Sequence, residues 1–143
     1  MYKKILAPLD LSHPDIARHM ASVAKKMADA SKAEIVLLNV VPDLPGYIAA
    51  ELPADIVKKV ITEAEQNLAA IAKDANLDDN VKVELRSGRP HSQILQVAEE
   101  IGADLIVIAS HQPGIGDYLL GSVAGKVVRH AQCSVLVERQ AKN

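Results

Sequence analysis

Gly121 and Ser122 open a segment whose residue types suit the binding of a phosphate. Pro113, Gly114 and Gly116 before them continue neither a helix nor a strand. Behind them Val123, Val127 and Val128 recur at helical spacing, with Lys126 and Arg129 on the other faces. The first amides of a helix have no partner inside it, and the positive end of the helix dipole lies with them, so an anion is favoured there. Glycine lets that anion come close. The stretch begins at Leu105 to Ile108, a continuous aliphatic run of the kind shown by a strand covered on both faces, with Ala109, Ser110 and His111 where the strand ends. Strand, glycine-bearing loop, helix and second apolar strand, from Asp104 to Val137, thus describe a phosphate site.

The chemistry open to such a site is limited by what surrounds it. Gly116, four further residues, Gly121 and Ser122 have the glycine spacing of a P-loop, but Ser122 stands where the lysine belongs. The loop also follows the fourth strand, whereas a P-loop normally follows the first. No GxGxxG, HxGH or SGGxDS occurs. His111 has no identifiable carboxylate partner or nucleophile near it and is read as a hydrogen-bonded structural histidine rather than a base. His13, His19, His91 and His130 lack ligand spacing such as HExxH, so no protein metal site is expected and no catalytic residue is assigned. Cys133, the sole cysteine, excludes an internal disulfide or a CxxC site and reads as a small core residue at the start of the last strand. Lys126 and Arg129 read either as solvated helix charges, the commoner fate of such residues, or as charges that border the phosphates from a distance.

The elements that must position this loop follow from periodicity. Ile5 to Leu9 is a first buried strand. Ser12 or His13 offers an N-cap to a helix with Pro14 in its first turn, Asp15 against the dipole, and Ile16, Met20, Val23, Ala24 and Met27 on one face. Glu34 to Val41 is a second buried strand, and Pro42, Pro45, Gly46 and Pro53 mark an irregular connection. A long helix, roughly Ala54 to Asn76, keeps Val57, Val60, Ile61, Ala64, Leu68, Ile71 and Ala75 on a stripe. Val81, Val83 and Leu85 alternate with Lys82, Glu84 and Arg86, which predicts a third strand at a sheet edge. Pro90 starts a helix with Ile94, Leu95, Ala98 and Ile101 inward and Gly102 as its C-terminal cap. Ser134 to Glu138 is the fifth strand. Five strands alternating with four helices predict an α/β fold with a five-stranded parallel, doubly wound sheet, which binds ligands at the carboxyl ends of its strands.

Composition narrows the partners. At 143 residues, about half of them apolar (49%), the chain reads as one domain, 1–143, with a proper core. Phe and Trp are absent and the aromatics are Tyr2, Tyr47 and Tyr118, so stacking on nucleic-acid bases is not expected. The net charge of -2, with no basic run, leaves no footprint for DNA or RNA. MYKKILAPLD lacks the order of a signal peptide and no apolar run approaches the ~20 residues of a membrane span, so a soluble, cytoplasmic protein is expected.

The opening KKILAPLDLS, the strand end LIVIASH, the segment YLLGSVAGKVVRHA and the closing CSVLVE, in this order over the whole chain, resemble a single-domain universal stress protein; GRPHSQI resembles that family's short motif before its third helix. The resemblance implies an adenine nucleotide alpha hydrolase-like fold, a frequent homodimer, and ATP as the ligand of the family's nucleotide-binding branch. That branch reads Gly, two residues, Gly, nine residues, then Gly and Ser or Thr. Here Ala109 and Gln112 stand at the first two glycines and eight residues separate Gln112 from Gly121, as in a subgroup with ASH, a variable residue, Pro and then YLLG.

Carried over by position, the resemblance places Pro8 and Asp10 beside the base and ribose, the backbone of Val40 at the adenine edge, and Ile108 and Ala109 on the other side of the nucleoside. It places Gln112 by the phosphates, with Gly121, Ser122 and Val123 as their donors, and allows Mg²⁺ to arrive with ATP. Asp10 also reads as a turn residue capping the first helix. Val135, Leu136 and Val137 are apolar for an open edge, so either a second subunit pairs with them or the chain's own helices cover them. The resulting expectation is an ATP-binding sensor or regulator in a stress response, with little turnover and an unidentified downstream protein. A slow Mg-dependent ATPase and a nucleotide-free dimeric adaptor are the alternatives.

Overall fold

Strands and helices alternate along the chain because each of the first four apolar strand runs is followed by an amphipathic stretch. The computed structural model describes residues 1–41, 50–77, 80–110 and 120–139. Within them the order is β1 (Lys4–Pro8), α1 (Pro14–Asp29), β2 (Glu34–Val41), α2 (Ala54–Asp74), β3 (Val81–Ser87), α3 (Pro90–Ile101), β4 (Leu105–Ala109), α4 (Ser122–His130) and β5 (Ser134–Glu138). The five strands form one sheet in the order β3-β2-β1-β4-β5. Every pairing is parallel, with Ile5 opposite both Ile35 and Leu105. The chain winds outward from β1 to β3 in one direction and from β4 to β5 in the other. The switch point therefore lies between β1 and β4, with β3 at an edge as its alternating pattern predicts.

A parallel sheet needs cover on both faces, and alternate residues of each strand supply two cores. Ile5, Ala7, Leu37 and Val107 pack on one face with Ala17, Met20 and Ala24 of α1 and Leu68 and Ile71 of α2. Leu6, Val36, Leu38 and Ile106 pack on the other with Ile94 and Val97 of α3 and Ala124 and Val127 of α4. Ile5, Leu6, Leu37 and Leu38 are fully buried. Each contributes about 1.5–3 kcal/mol by leaving water. Alanines at 17, 21, 24 and 28 are buried along α1, which allows that helix close approach to the sheet without aromatic filling.

The element ends follow their local signals. His13 is the N-cap of α1, with Pro14 at the start of the helix and Asp15 in its first turn. Gly102, at φ 69°, closes α3 in the left-handed conformation, its amide bonding to Glu99 O and that of Ala103 to Ala98 O. Asn76, at φ 55°, does the same after α2, where Leu77 N–H donates to Ala72 O at 3.0 Å. The predicted stripe of α2 is only half a core face. Ala64, Leu68 and Ile71 are buried, but Val57, Val60 and Ile61 are 40–48% exposed, because among the described residues only the helix's later turns pack into the core against the sheet. Val83 of β3 is 42% exposed, as befits an edge strand whose predicted apolar face is only partly covered. No described helix is long and apolar enough to cross a membrane.

Candidate functional site

At the carboxyl ends of β1, β2 and β4 the sheet opens into a cavity of about 590 Å³. Its position is the one the winding order dictates. The helices that follow β1 and β4 pack on opposite faces of the sheet, which leaves a crevice between the two strand ends. Pro8, Asp10 and Val40 line it from the first two strands, Ile108 and Ala109 from β4, and Gly121 and Val123 from the start of α4. Ser122 is exposed at that helix start and is not in the wall. Gln112 and His111 lie outside the described residues.

The loop after β1 is held by β2. Leu9 N–H donates to Leu38 O at 2.7 Å, and the Asn39 side-chain Nδ2 donates to Leu9 O at 2.9 Å. Asp10 follows, and its Oδ1 accepts the Ser12 N–H at 3.0 Å and the Ser12 hydroxyl, while its carbonyl accepts the His13 N–H at 3.2 Å. This is an Asx turn that delivers the chain into α1. It differs from the helix cap the sequence suggested, since α1 begins without a side-chain capping bond. Asp10 Oδ2 has a different outlook, 4.0 Å from His13 Nε2, in a side chain 54% exposed along the cavity rim.

The opposite wall is fastened by Ser110. Its N–H donates to Glu138 O of β5 at 2.9 Å and its carbonyl accepts the Gly121 N–H at 2.7 Å, so β4, β5 and the head of α4 meet at one buried residue. Gly121 is the N-cap, and its carbonyl accepts the Gly125 N–H at 2.8 Å. Its own amide is thereby occupied. The donors at the helix start are the amides of Ser122, Val123 and Ala124, which have no intrahelical acceptor. Burial first, and then the neighbouring Lys126, Arg89 and His130, push His91 at the start of α3 below its ordinary pKa. Among the described residues no cluster of three His, Cys, Asp or Glu could hold a metal ion. Cys133 is free and partly buried, and its thiol is pushed up by desolvation, as suits a packing residue.

Two buried polar wall residues have no counterpart among the sequence-derived candidates. Asn39 and Ser110 are buried polar side chains, 8% and 1% exposed. The available signal was a single amide interrupting the apolar run EIVLLNVV near its carboxyl end, and a serine directly after LIVIA.

The universal stress protein family model matches residues 1–139, and the chain belongs to this family. Over 143 aligned residues it is 33% identical to universal stress protein G of Shigella flexneri, covering 97% of this chain and all of that one. The solved structure of the protein MJ0577 superposes with a TM-score of 0.81 at 30% identity, over 100% of this chain and 99% of that one. A universal stress protein solved in complex with cAMP gives a TM-score of 0.67 at 24% identity over 98% of each chain, a likeness of fold.

Proposed function

We propose that this chain, acting as one domain over 1–143 in the cytoplasm, is an adenine-nucleotide sensor that binds ATP with little turnover and passes its occupancy to a partner protein. The observation that carries the reading is the cavity at the switch point, which sets a carboxylate at one rim and unpaired helix amides at the other. Neighbouring strands lie about 4.8 Å apart, so the path from β2 across β1 to β4 is about 10 Å. With a triphosphate at the amides of Ser122 and Val123, the ribose falls to Asp10 and the base to the end of β2, against the backbone of Val40. Pro8, Ile108 and Ala109 supply apolar walls, and Gln112 is assigned to the phosphates by the family resemblance. Mg²⁺ would be carried by those phosphates. That a protein of the same fold holds cAMP is a property of that protein; the reading for this chain rests on its own cavity. The partner surface includes a second copy joined along β5.

Turnover is not part of the proposal, because phosphoryl transfer needs a positioned nucleophile and charge neutralisation. The described wall supplies helix amides at the α4 end, and its carboxylates, Asp10 and Glu63, and its imidazole, His13, come from the β1–α1 loop and α2 rather than from that end.

The test is mass spectrometry of small molecules released on denaturing the gently purified protein, with calorimetric titration of the stripped protein by ATP, with and without Mg²⁺. Stoichiometric adenine nucleotide and saturable ATP binding are expected. An empty protein that ignores ATP, ADP and AMP would replace the sensor with the adaptor reading. ADP release that survives repurification and disappears in Gly121→Val would replace it with the slow ATPase.

A further inference from the structure

Asn39 is a polar side chain placed where the sheet is otherwise apolar. It lies on the face of β2 shared with Leu37, is 8% exposed, and borders the cavity. A buried amide is costly unless its groups are satisfied. One Nδ2–H donates to Leu9 O at 2.9 Å, and the side chain makes no other hydrogen bond among the described residues. A backbone carbonyl can only accept, so this bond decides which way round the amide sits: the nitrogen faces Leu9 and Oδ1 is left as an acceptor. Asn39 lines the cavity, so an occupant that displaces water from Oδ1 has to replace it with a donor.

Position selects which part of the occupant that is. β2 stands two strands from β4, on the far side of β1 from the head of α4. If phosphates sit at the α4 amides, the group at Asn39 is the base. A 6-aminopurine whose position 6 faces Oδ1 offers it an N–H donor, whereas a 6-oxopurine in the same pose presents a carbonyl acceptor, which Oδ1 repels, and keeps its ring donor on the neighbouring N1. We infer that Asn39 is a specificity-determining residue, its amide locked by Leu9 so that the site takes adenine in preference to hypoxanthine or guanine. The inference rests on the nucleotide reading above.

The experiment compares ATP, ITP and 2′-deoxy-ATP by calorimetry on the wild-type protein and on Asn39→Leu, with circular dichroism to confirm that the variant is folded. In the wild type ITP should bind about tenfold or more weakly than ATP, the loss expected when a buried acceptor faces another acceptor. In Asn39→Leu the ATP affinity should fall toward that of ITP, closing the gap. A wild type that binds ATP and ITP equally overturns the inference while leaving the nucleotide reading intact, and needs no variant. A variant that loses both nucleotides in equal proportion shows a merely structural role. A variant that instead loses its preference for ATP over 2′-deoxy-ATP assigns the acceptor to the ribose, which also overturns it. A wild type that binds no nucleotide sinks the nucleotide reading, and this inference with it.

Discussion

Asp10 divides its two oxygens between turn and cavity rim. Oδ1 closes the Asx turn with Ser12, and Oδ2 remains on the rim, where a ribose hydroxyl would donate to it. Asp10→Ala should therefore weaken AMP and ATP alike, by about 1–3 kcal/mol, in calorimetric titrations. A loss confined to ATP would put the carboxylate at the phosphates and contradict the placement. Gly121 offers a complementary test. Its φ of -59° and ψ of 158° are open to any residue, so Gly121→Val should keep the helix content while its side chain crowds the approach of a phosphate to the α4 amides. ATP affinity is expected to drop by roughly tenfold or more, on the scale where ~1.4 kcal/mol is a factor of ten. Unchanged affinity would refute the site. At this scale the resemblance named Pro8, Asp10, Val40, Ile108, Ala109, Gly121 and Val123, which border the cavity, whereas Ser122 stays outside its wall; the engagement of the Gly121 amide by Ser110, and the locked amide of Asn39, depend on groups that lie far apart in the chain.

Among the elements, β1 and β4 are joined at their starts by a single carboxylate. Asp104 accepts the Lys3 N–H on Oδ2 at 2.8 Å and the Lys4 N–H on Oδ1 at 3.0 Å, while its own N–H donates to Lys4 O. Desolvation pushes this carboxyl up, but the amide bonds from Lys4 and Lys3 outweigh it and hold it below its ordinary range. A carboxyl lowered in the folded state stabilises fully above its unfolded pKa, near 4, and loses that contribution as pH falls through the folded value. Asp104→Asn should cost about 1 kcal/mol at pH 7, a modest figure because the group is only part-buried, and the gap from wild type should shrink below about pH 4. Urea midpoints across that range are the measurement. A gap that stays constant would mean the charge is irrelevant. Element ends were legible in the sequence because Pro14, Asn76 and Gly102 act through their own backbone preferences. The stripe on α2 was over-read, since periodicity says which side of a helix is apolar but not how far the surface beneath it extends.

For the whole molecule, β5 leaves Val135, Leu136 and Val137 half-buried on an edge with no described neighbour beyond it. An edge of that kind is either closed by another copy or left as a template for association. Light scattering is expected to give a mass twice that of one chain, with amide exchange along these residues slow and faster on dilution. A single-chain mass at micromolar concentration would leave β5 covered by its own helices alone. The family relationship, the order of strands and helices, the edge character of β3 and the location of an anion-favouring helix start were all determined by the sequence itself. The family relationship rests on motifs matched in order along the chain, and the rest on local composition and period, which each segment carries wherever it is placed. Tertiary structure alone decided that Leu9 leans on Asn39, that Ser110 ties β4 to β5 and α4, and that half of α2 stays outside the core. These depend on which distant segments become neighbours when parallel strands pair, and a pattern read along one segment holds no record of the surface it will meet.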